Sequence, residues 1–136
     1  MLAPRNFPRM STKIRRILLI HANDAVKEML LLCLETIPSS EIIAIDSGIE
    51  AIAKAAEVDF ILLDTDEAMP DLRWQEIFQN LKRNSITYSI PVILLTATPQ
   101  SQELIELQKI ESVRAIAKTF DLLNLANAIS NLLDRI

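Results

Sequence analysis

The chain has 136 residues, which is enough for one domain with a sizeable hydrophobic core. Its formal net charge is −4 and no cluster of Lys and Arg stands out, which argues against a nucleic-acid-binding surface. A single cysteine, Cys33, excludes an internal disulfide and fits a reducing compartment, and no stretch approaches the ~18 apolar residues of a membrane span. We therefore expect a cytoplasmic protein.

The first twelve residues differ in composition from the rest of the chain. They contain prolines and arginines without periodicity, and they lack the apolar segment of a secretory signal. Met10 opens a stretch that would itself make an ordinary protein start. We expect residues 1–12 to form a flexible tail and residues 13–136 to form one domain.

Five short apolar runs alternate with amphipathic segments along the chain. The runs predict strands at Arg16–Ile20, Glu41–Ile45, Phe60–Leu63, Val92–Leu95 and Val113–Ala117. Nearly continuous apolar runs are typical of parallel strands that are buried on both faces. Helix starts are predicted at Asp24, Ser47, Trp74, Thr98-Pro99 and Asp121. Five strand–helix units predict an α/β fold, with a five-stranded parallel sheet and helices on both faces.

Polar residues follow the strands at the edge where functional groups of such sheets gather. In chain order these are His21, Ala22, Asn23 and Asp24, then Asp46 and Ser47, then Asp64 to Glu67, then Thr96, then Lys118 and Thr119. Asp64 could accept a phosphoryl group, bind a metal or cap a turn. Lys118 could pair with Asp64 or with a phosphoryl oxygen, and Thr96 could donate to either a phosphoryl oxygen or the turn. We expect these three side chains to converge.

Five motifs in the same order resemble the receiver domain of bacterial two-component response regulators. They are DSGIEAI (46–52), DFILLD (59–64), MPD (69–71), IPVILLTA (90–97) and AKTFD (117–121), and the resemblance covers residues 14–136. It implies a flavodoxin-like (βα)5 fold with strand order 2-1-3-4-5. It also implies that Asp64 accepts a phosphoryl group from a histidine kinase and that Thr96 and Lys118 contact the phosphoryl oxygens.

The chain departs from the family pattern where the family binds magnesium. Two adjacent acidic residues normally follow the first strand, and here those positions are His21 and Ala22. Alanine offers no ligand, and imidazole is a poor ligand for a hard cation. Asp64 would be the one carboxylate left, so we expect no metal or only weak magnesium binding. Six steps separate Asp64 from Pro70, two more than usual, and Ala115 replaces the aromatic residue that reports phosphorylation.

Two features could compensate for the missing acids. Asp24, Asp66 and Glu67 could rebuild an acidic cup, although Asp24 is more simply a helix cap and the other two could lie in a solvated loop. A protonated His21 could sit against Asp64 in place of the metal, or it could be an exposed histidine at the rim.

We expect a signalling module rather than an enzyme that turns over a substrate. The favoured hypothesis is a degenerate receiver that acts through protein–protein interaction, with phosphorylation impaired; the alternative is an active stand-alone response regulator. The resemblance places the partner surface at residues 99–136, for a histidine kinase, a downstream signalling protein or a second copy in a homodimer. A flavodoxin-like cofactor binder is disfavoured because HANDA (21–25) has no glycine for a phosphate loop.

Overall fold

The computed structural model describes residues 14–22, 24–66, 69–118 and 121–135. The predicted tail (1–12) and Glu67 lie outside these residues, so both predictions stand as they were made. The strands are β1 (Arg15–Ile20), β2 (Ser40–Ile45), β3 (Phe60–Asp64), β4 (Val92–Thr96) and β5 (Val113–Ala117). The helices are α1 (Asp24–Leu34), α2 (Gly48–Lys54), α3 (Trp74–Arg83), α4 (Gln102–Leu107) and α5 (Leu122–Arg135), with a short 3-10 turn at Ala55–Glu57.

The five strands form one parallel sheet in the order β2-β1-β3-β4-β5. This confirms the predicted fold and the strand order that the resemblance implied. β1 and β2 begin one residue earlier than predicted, and β3 and β4 end one residue later. Asp64 and Thr96 are therefore the last residues of β3 and β4 rather than the first residues after them. Their backbones are therefore fixed by sheet hydrogen bonds, which leaves only the side chains to reach across the edge.

Two hydrophobic clusters cover the two faces of the sheet. The alternation along β1 divides its side chains between them: Leu18 and Ile20 join the helices α2 and α3, whereas Ile17 and Leu19 join α1 and α5. Cys33 belongs to the second cluster and is 1% exposed, in line with a core thiol, and burial raises its pKa. None of the helices in the described ranges is long and apolar enough to cross a membrane.

The helix starts follow the sequence signals with one exception. Ser47 caps α2 through a hydrogen bond from the Glu50 N–H to its hydroxyl, as predicted. Thr98-Pro99 was predicted to open α4, and this is wrong: the cap is Ser101, whose hydroxyl accepts from the Leu104 N–H. The physical reason is that the Ser101 N–H donates to the Thr98 carbonyl at 3.1 Å, which closes a turn at residues 98–101 before the helix begins.

Candidate functional site

The carboxyl ends of β3, β4 and β5 bring an acid, a hydroxyl and an ammonium group to one edge. In the sheet register Asp64 lies opposite Leu95 and Thr96 lies opposite Ala117, and Lys118 directly follows β5. The Nζ of Lys118 lies 2.5 Å from Oδ1 of Asp64. The structure therefore places Asp64 and Lys118 in direct contact, and Thr96 joins them through a third side chain.

That third side chain is Asp66, in the loop after β3. Its Oδ2 lies 2.9 Å from Nζ of Lys118 and accepts from the Ala97 N–H at 2.9 Å. Its Oδ1 accepts from the hydroxyl of Thr96 at 3.4 Å. One carboxylate thus binds an ammonium, a hydroxyl and a backbone amide, each from a different position along the edge.

Asp64 is almost completely buried, with 1% of its side chain exposed. Its Oδ1 accepts from Lys118 and from the Asp66 N–H, which lies 3.0 Å away and closes a tight turn two residues along the chain. Its Oδ2 is buried and has no hydrogen-bond partner within the described part of the chain. A buried polar atom without a partner costs free energy, which makes Asp64 a candidate functional residue.

His21 continues the first strand into the site. Its backbone N–H donates to the Ile45 carbonyl at 3.1 Å, which extends the pairing of β1 with β2. The side chain is only 3% exposed, so the exposed rim histidine considered from the sequence is wrong. Burial, followed by the charge of Lys27, lowers the pKa of the imidazole below its usual 6.5, although nearby carboxylates oppose this. The neutral form is therefore favoured, which argues against a protonated His21 in place of a metal.

The two described carboxylates that could have compensated for the missing acids, Asp24 and Asp66, lie in different surroundings. Asp24 is the first residue of α1 and is exposed, and Asp66 is engaged with Lys118. In the described ranges, no three His, Cys, Asp or Glu side chains form a group that could hold a metal ion. The described side chains at this edge are a neutral imidazole, the Ala22 methyl group, which offers no ligand atom, and two carboxylates that share one ammonium. This set does not fit Mg²⁺, which prefers octahedral oxygen ligands.

Asp71, shortly before α3, is hydrogen-bonded to the start of α2. Asp71 accepts hydrogen bonds from the Gly48 N–H, the Ile49 N–H and the Ser47 hydroxyl at 2.9–3.0 Å. The hydrogen bonds from the backbone amides of Ile49 and Gly48 contribute most to lowering the pKa of Asp71 to about 2. A Cβ on Gly48 would lie 2.9 Å from the Cβ of Leu72, so the single glycine of the chain permits this close approach.

Sequence reasoning missed what Asp66 contacts. It treated this residue as a possible metal ligand or as part of a solvated loop, whereas the side chain bonds to Thr96, Ala97 and Lys118. The only available signal was the length of the loop, since the six steps from Asp64 to Pro70 supply extra chain in front of the edge.

Comparison with known proteins points to one family. The family model described as the response regulator receiver domain matches residues 17–130. A probable transcriptional regulator, ycf29, from Pyropia yezoensis is 32% identical over 90 residues. That alignment covers 66% of this chain and 40% of the relative, so the chain spans well under half of that protein.

Solved structures share the fold. A putative response regulator from Chloroflexus aurantiacus superposes with a TM-score of 0.75 at 24% identity, covering 90% of this chain and 100% of that one. The receiver domain of the sensor histidine kinase PA1611 from Pseudomonas aeruginosa, with magnesium coordinated in its active-site cleft, gives 0.72 at 20% identity and covers 89% and 98%. At these identities the likeness extends to the fold alone.

Proposed function

This chain belongs to the response regulator receiver family, and from that premise we propose that it is a signalling module that works by binding other proteins, with phosphoryl transfer to Asp64 impaired. The observation that carries the proposal is the end of β1. There, a buried imidazole with a lowered pKa and a methyl group stand where the family has its acidic pair.

Phosphoryl transfer develops negative charge on the oxygens of the phosphoryl group. Bound metal ions normally neutralise the phosphoryl oxygens and stabilise the transition state. The P. aeruginosa receiver domain holds a magnesium ion in its cleft. In this chain His21 and Ala22 supply no charge for such an ion, and Lys118 already bonds to two carboxylates. Lys118 would therefore have to release one of these carboxylates before it could contact an incoming phosphoryl group.

A second candidate is an active stand-alone response regulator. The observation that favours it is the survival of Asp64, Thr96 and Lys118 at the ends of three neighbouring strands. In this case the Oδ2 atom of Asp64, buried and without a partner among the described residues, would be the attacking oxygen.

Intact-mass spectrometry after incubation with Mg²⁺ and acetyl phosphate separates the two candidates. We expect the natural chain to show no more adduct than the Asp64→Asn variant, because no described group is placed to bind the metal. A receiver domain with both acids after its first strand, treated in parallel, shows that the donor is active. An adduct of one phosphoryl group on the natural chain, absent from Asp64→Asn, would overturn the proposal in favour of the active regulator.

We place the partner surface at residues 99–136, as the family resemblance implies. Support comes from three large apolar side chains there that are exposed to solvent: Ile105, Ile110 and Leu123. The partner we propose is a histidine kinase or a downstream signalling protein in the cytoplasm, and a homodimer would use the same surface.

A further inference from the structure

We infer that Asp66 is an internal occupant of the phosphoryl-binding position, so that Thr96 and Lys118 are held in their ligand-bound arrangement without phosphorylation. This inference rests on the proposed function, because it takes the roles of Thr96 and Lys118 from the family. It goes further by naming the group that replaces the phosphoryl oxygens and by predicting a single, fixed state of the edge.

The contacts of Asp66 carry the inference. An anion bound at this edge would be held by an ammonium, a hydroxyl and a backbone N–H, which are the donor types that bind phosphoryl oxygens in proteins. The carboxylate of Asp66 takes all three from Lys118, Thr96 and Ala97. With 29% of its side chain exposed, the group reaches these three donors while one side of it stays open to solvent.

The path of the loop explains how Asp66 reaches this position. Its N–H donates to Oδ1 of Asp64 at 3.0 Å, so the chain turns sharply after β3 and brings the next acidic side chain back over the edge. The other end of the loop is fastened by Asp71 to the start of α2.

The charges at this edge prevent Asp66 and a phosphoryl group from occupying the same position together. Asp64 and Asp66 share the ammonium of Lys118, so these three side chains together carry one negative charge when all are ionised. An acyl phosphate on Asp64 would carry about 1.5–2 negative charges in place of the single charge of the carboxylate, and it would need the same three donors. It would also lie beside the carboxylate of Asp66, and like charges at such a distance repel. Asp66 must therefore leave before a phosphoryl group can be bound.

Amide hydrogen exchange of Ala97, followed by NMR on the full chain, tests the inference. In Asp66→Ala the Ala97 N–H loses its acceptor, and we expect its exchange to accelerate about tenfold and its proton resonance to move upfield. Asp66→Asn keeps the shape of the side chain but removes its charge, and we expect a smaller change in the same direction. Asp46→Asn removes an exposed charge after β2 and should leave Ala97 unchanged.

The inference is overturned if Ala97 exchanges at the natural rate in both Asp66 variants while their spectra remain dispersed. Its failure is distinguishable from failure of the proposed function. A phosphoryl adduct on the natural chain contradicts the proposed function, whereas an Ala97 amide that ignores Asp66 contradicts this inference even when no adduct forms.

Discussion

Two lysines with shielded ammonium groups lie at opposite edges of the same sheet and are held in different ways. Lys118, at the carboxyl edge, lies between the carboxylates of Asp64 and Asp66. Lys82, on α3, donates to the carbonyls of Tyr88 and Ile90 and to the hydroxyl of Ser112, at 2.9–3.0 Å, close to the amino ends of β4 and β5.

The difference separates an edge held by neutral hydrogen bonds from the edge that carries the candidate functional site. Lys82 uses all three of its donors on neutral oxygens that join the loop before β4 to the start of β5, and burial lowers its pKa to about 8. At the other edge the acids outnumber the ammonium group. The two buried side-chain atoms found without a partner in the described ranges, Nδ1 of His21 and Oδ2 of Asp64, also lie there.

The largest expected effect comes from removing the cation of the edge that carries the candidate functional site. Lys118→Met leaves the buried carboxylate of Asp64 without its cationic partner, and we expect the free energy of unfolding to fall by about 3 kcal/mol. Urea denaturation at pH 7 measures it. Lys109→Met is the matched control, because Lys109 pairs with Glu106 in solvent and its loss should change stability by less than about 0.5 kcal/mol. Equal losses in the two variants would contradict the central role of Lys118.

A smaller effect is expected at the edge held by neutral hydrogen bonds. Lys82→Met removes three hydrogen bonds to neutral acceptors, and we expect the free energy of unfolding to fall by about 1–2 kcal/mol in urea denaturation at pH 7.5.

The lowered pKa of Lys82, about 8, gives the sign of the pH dependence of stability. Between pH 8 and 10.5 the unfolded chain keeps a proton that the folded chain releases, so the stability of the natural chain relative to the variant should rise. A gap that stays constant up to pH 10 would refute this assignment.

The smallest effect is expected from His21. Because burial lowers the pKa of His21, the unfolded chain takes up a proton below about pH 6.5 more readily than the folded chain does. The free energy of unfolding therefore decreases as the pH is lowered. His21→Leu cannot titrate, so between pH 7 and pH 5 it should lose less stability than the natural chain. Thermal denaturation across that range compares the two. Parallel losses would show that His21 is not a neutral buried group.

The fold could be predicted from the sequence because its signals are local. Apolar runs such as Phe60–Leu63 and caps such as Ser47 act within a few residues, and the order of the elements then fixes the sheet. Thr98-Pro99 misled because these residues lie in a turn closed by a hydrogen bond from the Ser101 N–H to the Thr98 carbonyl, and a capping pattern does not distinguish such a turn from the first turn of a helix.

The candidate site was predictable only where the topology determines it. Parallel strands must end at a common edge, so Asp64 and Lys118 could be expected to meet. The contacts of Asp66 depend on the path of a loop, which has no periodicity, and the burial of His21 depends on side chains distant in sequence. Periodicity and motif spacing carry neither kind of information.

The most direct measurement of the central claim is a restoration experiment by intact mass with Mg²⁺ and acetyl phosphate. It compares the natural chain with a triple variant, His21→Asp, Ala22→Asp and Asp66→Ala, which returns the acidic pair and empties the phosphoryl-binding position. The account predicts an adduct of one phosphoryl group on the triple variant only, lost again when Asp64→Asn is added. An equal adduct on the natural chain would contradict it.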